Sequence, residues 1–205
     1  MTSPEALAAP LLLGLALGLR HALDPDHLAA MGTIVARESA PARAGWLGAV
    51  WGLGHSASLL AASLLIVFLR IPVPARVATF LELGVAAMLI VLGIHSILTA
   101  SDPVRAATRS ASARRPFVIG LIHGLAGSGG LALLVLPVIR DPFAALAYVG
   151  LFGLGSIGGM AIWSALLAWP LGTATRRSAR AARWIPALSG LASVSIGLLV
   201  VAQSS

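Results

Sequence analysis

Six stretches of this chain are apolar for about as long as a helix needs to cross a bilayer, roughly 20 residues at 1.5 Å rise each. They run over about 5–36, 45–70, 77–99, 117–139, 143–171 and 185–203, and the first is interrupted near its middle by polar residues. The breaks carry turn and charge signals: Glu38 to Arg43 with Pro41, Ile71 to Arg76 with Pro72 and Pro74, and Arg140-Asp141-Pro142. Hydrophobic residues make up 58% of the chain and charged residues 10%, against about 25% charged in soluble domains. A soluble bundle of buried helices would keep a polar face on each helix. The composition also excludes a disordered chain, a coiled coil and a nucleic-acid binder. All 14 basic residues are arginines placed between apolar runs, as on the loops of a membrane protein. There is no cysteine, which excludes disulfides, iron–sulfur clusters and thiolate zinc sites. The first apolar stretch has no basic residue before Arg20 and does not read as a cleavable signal.

The arginines predict an orientation. Arg37 and Arg43, then Arg105, Arg109, Arg114 and Arg115, then Arg176, Arg177, Arg180 and Arg183 follow the first, third and fifth stretches. Arg70, Arg76 and Arg140 lie at the opposite ends. Ten against three places the arginine-rich side in the cytoplasm and both termini outside it. The expected location, which the charge count does not itself give, is the inner membrane of a bacterium.

Short strings recur along the chain. Gly18-Leu19-Arg20-His21 matches Gly120-Leu121-Ile122-His123, and Gly52-Leu53-Gly54-His55-Ser56 resembles Gly153-Leu154-Gly155-Ser156. The expectation is a single all-α transmembrane domain over 1–205, a polytopic membrane protein of six transmembrane helices. It consists of repeat 1 at about 1–100, a basic cytoplasmic loop at about 100–116 and repeat 2 at about 117–205. Three spans per repeat is an odd number, so the second half enters the membrane from the other side. Such inverted repeats mark secondary transporters, with substrate bound near the midplane. Glycines such as Gly120 and Gly124 allow close helix approach.

The run His21-Ala22-Leu23-Asp24-Pro25-Asp26-His27 lies inside the first apolar stretch. An aspartate at mid-span costs roughly 2.5–3.5 kcal/mol on an insertion scale, so two of them call for partners or a function. On an ideal helix Asp24 lies roughly 60° from His21 and His27 about 120° from it, a wide polar face rather than a tight chelate. Pro25 has no N–H and cannot bond the carbonyl of His21, four residues earlier. A break there is expected to swing Asp26 and His27 toward His21 and to free that carbonyl for a ligand. Imidazole and carboxylate together suit Ni, Co, Cu, Zn or Fe. A loop between two short segments and a proton relay are the other readings of this run.

The pattern His21-x-x-x-x-Asp26-His27, preceded by Gly-Leu-Arg, resembles the signature of nickel/cobalt transporters of the NiCoT class, and most closely their short six-span urease-accessory (UreH-like) members. Leu53-Gly54-His55-Ser56 is similar to the second histidine motif of that family. His123-Gly124-Leu125-Ala126-Gly127-Ser128-Gly129 and Phe152-Gly153-Leu154-Gly155-Ser156 look like the UreH-like subgroup. The resemblance covers most of the chain. It implies passage of a divalent transition metal, with His21, Asp26 and His27 essential. Eight-span members carry acidic residues and threonines where this chain has Gly127-Ser128-Gly129-Gly130.

The resulting expectation is a transporter rather than an enzyme, binding Ni²⁺ or Co²⁺ as substrate at His21, Asp26, His27 and His55. Asp24, His123, Ser128 and Ser56 are further candidates along the path. No permanently bound cofactor and no nucleic acid are expected; the partners are the lipid bilayer, the metal and a second copy in a homo-oligomer. The chain has no phosphate-binding Gly-x-x-x-x-Gly-Lys motif and so no ATPase of its own. Glu82 is expected in a solvated vestibule and His95 at the cytoplasmic interface. Trp46, Trp169 and Trp184 fit an interfacial belt, with Trp51 and Trp163 packed inside. The rivals are a haem protein with His55 and His123 as axial ligands, an intramembrane protease using Ser128, and an exporter of a small solute or metal on the same scaffold.

Overall fold

A computed structural model describes residues 4–69, 74–101, 112–125 and 141–204. Among the described residues every regular element is an α-helix: α1 Pro4–His21, α2 Pro25–Val35, α3 Pro41–Leu69, α4 Ala75–Leu98, α5 Arg114–Leu125, α6 Pro142–Arg177 and α7 Ala179–Gln203. Four of these, over Pro41–Leu65, Ala75–Leu98, Pro142–Arg177 and Ala179–Gln203, are long and apolar enough to cross a membrane. The first apolar stretch divides into α1 and α2, broken at residues 22–24. The fourth expected stretch is described only to Leu125, so its remainder, with Ser128, lies outside the described residues. Much of the basic segment expected over 100–116, including Arg105 and Arg109, lies outside them too.

Two local outcomes differ from expectation. The carbonyl of His21 is not left free, because the amide of Asp24 donates to it at 3.0 Å in a tight turn that closes α1. The arginine-rich segment after α6 is not a loop. α6 continues through Arg177, Ser178 alone adopts an extended conformation, and α7 starts at Ala179. Ser178 accepts from the amide of Ala181, which caps α7 and lets the chain reverse in one residue.

The helices cross where glycines remove the side chain. A β-carbon at Gly18 would strike the carbonyl of Phe152 on α6, and one at Gly155 the carbonyl of Leu15 on α1. The same exchange joins α3 and α5, where Gly120 faces the carbonyl of Trp51 and Gly54 that of Phe117. These two crossings involve the strings that recur in the sequence. A third reciprocal contact lies between α4 and α7, where Gly93 and Gly190 each face the other's carbonyl. Beside it, Ser96 donates to the carbonyl of Pro186 at 2.7 Å and Ser193 to that of Leu89 at 2.8 Å. Hydrogen bonds between membrane helices average about 0.6 kcal/mol and reach about 1.7. Ser96→Ala is therefore expected to lower stability by roughly that range, read as a shift in the unfolding midpoint in a fixed detergent. No shift, with the α4–α7 pairing intact, would count against this bond.

The core holds Met31, Trp51, Leu89 and Met160 between α2, α3, α4 and α6. Trp46, Trp169 and Trp184 are exposed and Trp51 is buried, as the belt reading expects. Trp163 packs partly buried against the core.

Candidate metal centre

The break between α1 and α2 builds the centre. Pro25 opens α2, where its missing N–H costs nothing. Asp24 stands at the N-cap position but makes no capping bond. Its carboxylate instead accepts from Nδ1 of His21 at 2.7 Å. The turn thus gives up a cap, typically about 1 kcal/mol, to hold an imidazole. One residue into α2, Asp26 accepts from the amide of His27 at 3.0 Å and from its ring Nδ1 at 3.1 Å. The other oxygen of Asp26 reaches α5, where Nε2 of His123 donates at 3.0 Å. His55 enters from α3. Its Cα lies beside the helix crossing, since a β-carbon at Gly124 would meet the His55 carbonyl.

Four imidazoles meet in this space. The ring centres of His21 and His27 lie 4.4 Å apart, those of His27 and His123 4.2 Å, and those of His27 and His55 5.1 Å. His21 and His55 are 5.2 Å apart. All four rings are buried, His27, His55 and His123 completely. Trp51 and Phe152 close the walls, Trp51 against His27 and His123, and Phe152 against His21.

The carboxylates fix the imidazole tautomers. A carboxylate only accepts, so the nitrogen facing it carries the proton and the other nitrogen presents a lone pair. His21 and His27 thereby present Nε2, and His123 presents Nδ1. Those three atoms, with both nitrogens of His55, are buried and have no hydrogen-bond partner. Leaving buried polar groups unsatisfied costs about 1–3 kcal/mol each. Histidine that ligates metal almost always donates its other N–H to a carboxylate or carbonyl, as three of these do. Donor atoms of His21, His27 and His55 lie within 4.8 Å of one another, and so do those of Asp26, His27 and His123. Three equivalent ligands at metal bonds of about 2.0–2.1 Å lie at most about 3.6 Å from one another, so the side chains of either set would draw together to close on an ion.

The structure brings His21, Asp26, His27, His55 and His123 together, with Asp24 behind His21. Ser56 is a helix fastening, with its hydroxyl donating to the carbonyl of Gly153 at 3.0 Å. Glu82 accepts from the hydroxyl of Ser204 at 3.1 Å. The sequence left two features unread. His123 shares Asp26 with His27 across 97 positions of chain, and Trp51, read only as packing, forms a wall of the centre. The repeated Gly-Leu-x-His string was the signal for the first, since it sets His21 and His123 on matching helices.

Buried imidazoles held by partly buried carboxylates, in a chain with four helices long and apolar enough to cross a bilayer, are consistent in chemistry with a membrane protein that handles metal. The chain belongs to the NicO family, described as high-affinity nickel-transport protein, whose profile matches residues 9–201. It is 30% identical over 190 residues to the urease accessory protein UreH of Bacillus sp. (strain TB-90), covering 83% of this chain and 81% of that one. It is also 39% identical over 89 residues to the high-affinity nickel transport protein of Cupriavidus necator, covering 38% of this chain and 25% of the relative. No solved structure matches the chain.

Proposed function

We propose that this chain carries Ni²⁺, with Co²⁺ as the close alternative, across the bacterial inner membrane. The metal binds at His21, Asp26, His27 and His55, with His123 as a further ligand. The observation that carries this reading is the set of five buried ring nitrogens without partners, converging from α1, α2, α3 and α5. The family and the relatives' names support nickel as the ion.

In this reading the chain makes six spans as two inverted repeats, with both termini outside. The reciprocal glycine contacts support it. The α1–α6 crossing is related to the α5–α3 crossing by exchanging Gly18 with Gly120 and Gly155 with Gly54. The serine bonds of α4 and α7 are related in the same manner, Ser96 with Ser193. A site near the midplane, between halves that rock against each other, is the arrangement alternating access needs. The centre is asymmetric within that frame. The first half supplies Asp26 and His27, while the corresponding stretch of the second reads Gly127-Ser128-Gly129.

The metal arrives hydrated and exchanges water for imidazole and carboxylate. Carboxylate-held imidazoles offer lone pairs already aimed, which lowers the ordering cost of capture. Protons compete for the same lone pairs, so binding releases protons and weakens as the medium is acidified. In proteoliposomes, Ni²⁺ flux is expected in the wild type, falling with acidification, and absent in His21→Ala and His27→Ala. Sealed vesicles with folded protein and no flux of Ni²⁺ or Co²⁺ would overturn the proposal.

A further inference from the structure

Two ligand sets overlap in the centre, and they have one ring in common. The first is His21, His27 and His55; the second is Asp26, His27 and His123. They call on different nitrogens of His27. In the first set His21 and His27 offer Nε2, which is buried and without a partner, while their Nδ1 atoms stay on Asp24 and Asp26. Both nitrogens of His55 are also buried and unpartnered, so this set offers its lone pairs as it stands. In the second set an ion bonded to the Asp26 carboxylate meets the nitrogens that face it, Nδ1 of His27 at 3.1 Å and Nε2 of His123 at 3.0 Å. Those two nitrogens hold the hydrogens of the present bonds. They come free for an ion when each ring carries its hydrogen on the opposite nitrogen. No proton is gained or lost in that exchange, because each ring only changes tautomer.

A neutral imidazole has one lone pair to give. His27 can therefore ligate through Nε2 or through Nδ1, but not through both at once. The sets also differ in the helices that carry them. His21, His27 and His55 come from α1, α2 and α3, all in the first half of the chain, whereas His123 comes from α5 in the second. A movement of one half against the other would make or break the second set by bringing His123 to Asp26 or parting them. The first set lies within one half.

We propose that the centre holds one ion in either of two positions, first at His21, His27 and His55 and then at Asp26, His27 and His123, with the His27 ring passing it between them. The use of the two positions in succession rests on the transport reading; their existence is tested by binding alone. The full chain in nanodiscs is titrated with Co²⁺, whose visible absorption reports the number and kind of its ligands, and equilibrium dialysis counts the ions. One tight ion per chain is expected in the wild type. The same spectrum is expected in His123→Ala, since the first position needs no hydrogen moved. His55→Ala is expected still to bind one ion, with a different spectrum and at least about tenfold more weakly, because hydrogen bonds to the carboxylate are given up. His55→Gln takes its place where size exclusion shows His55→Ala misfolded. Two tight ions per wild-type chain would overturn the sharing of His27, whatever the variants do. A changed spectrum in His123→Ala would overturn the proposal in favour of one site that uses all five groups. No binding to the folded His55 variant would remove the second position, and a wild-type spectrum in it would remove the first. Two distinct spectra together with failed Ni²⁺ flux in the wild type would retire the transport reading and leave the positions standing. Ni²⁺ flux with a single spectrum throughout would do the reverse.

Discussion

Asp26→Asn is expected to cut Ni²⁺ flux and binding by at least about tenfold, the lower end of the range for groups that orient metal-ligating histidines, with up to about 100-fold typical. The size of the side chain barely changes. What changes is that an amide offers one acceptor oxygen and an NH₂ donor where the carboxylate offered two acceptors. Asp26 receives Nδ1 of His27 on one oxygen and Nε2 of His123 on the other. Asparagine can accept from only one of them. The other ring must turn over or present a lone pair to the NH₂, and the nitrogen meant for the metal then carries a proton. Isothermal titration with Ni²⁺, beside flux in the same preparation, checks this. Flux within twofold of wild type would show that Asp26 neither binds the metal nor sets the rings.

Gly120→Ala is expected, as Gly18→Ala is at the α1–α6 crossing, to lower stability strongly. Its β-carbon would strike the carbonyl of Trp51, and it would also sit 2.9 Å from the Trp51 side chain and from the amide nitrogen of His55. Backbone cannot rotate away as a side chain can, so α3 and α5 must separate. Overpacking costs about 1–3 kcal/mol, and a backbone clash stands at the upper end. Because Trp51 wall and His55 ligand belong to the displaced segment, metal affinity is expected to fall as well. Gly84→Ala is the control. Nothing lies within 4 Å of the added carbon, and alanine favours helix by about 1 kcal/mol over glycine. Thermal unfolding of the two variants in one detergent separates them, and equal midpoints would refute the packing argument.

The centre was legible in the sequence because of its cost. Asp24, Asp26, His21 and His27 stand inside an apolar stretch where ionisable groups are retained only for a reason, and Pro25 marks the break that gathers them. The break's inner geometry was not legible. Pro25 does deprive the His21 carbonyl of its helical partner, but the chain satisfied it locally with the Asp24 amide. Nothing in residue types distinguishes that turn from an open one. His123 was harder still, since its partner Asp26 is 97 positions away and only the crossing of α3 with α5 brings it near. The α4–α7 pairing was legible in principle through Gly93-x-x-Ser96 and Gly190-x-x-Ser193, yet both helices read as plain apolar segments. Small residues announce close approach without naming the neighbour, which is decided by backbone fit.

The glycine crossings carry a mechanical consequence. Where Gly18 meets Phe152 and Gly54 meets Phe117, the nearest atoms across the contact are backbone. Interdigitated surfaces resist shear because knobs must leave their holes before anything slides. Bare-backbone surfaces resist being pulled apart, yet offer little friction to a small rotation about the point of contact. If the two halves turn against each other as proposed, the α1–α6 and α3–α5 crossings would serve as bearings, stiff to prising and soft to turning.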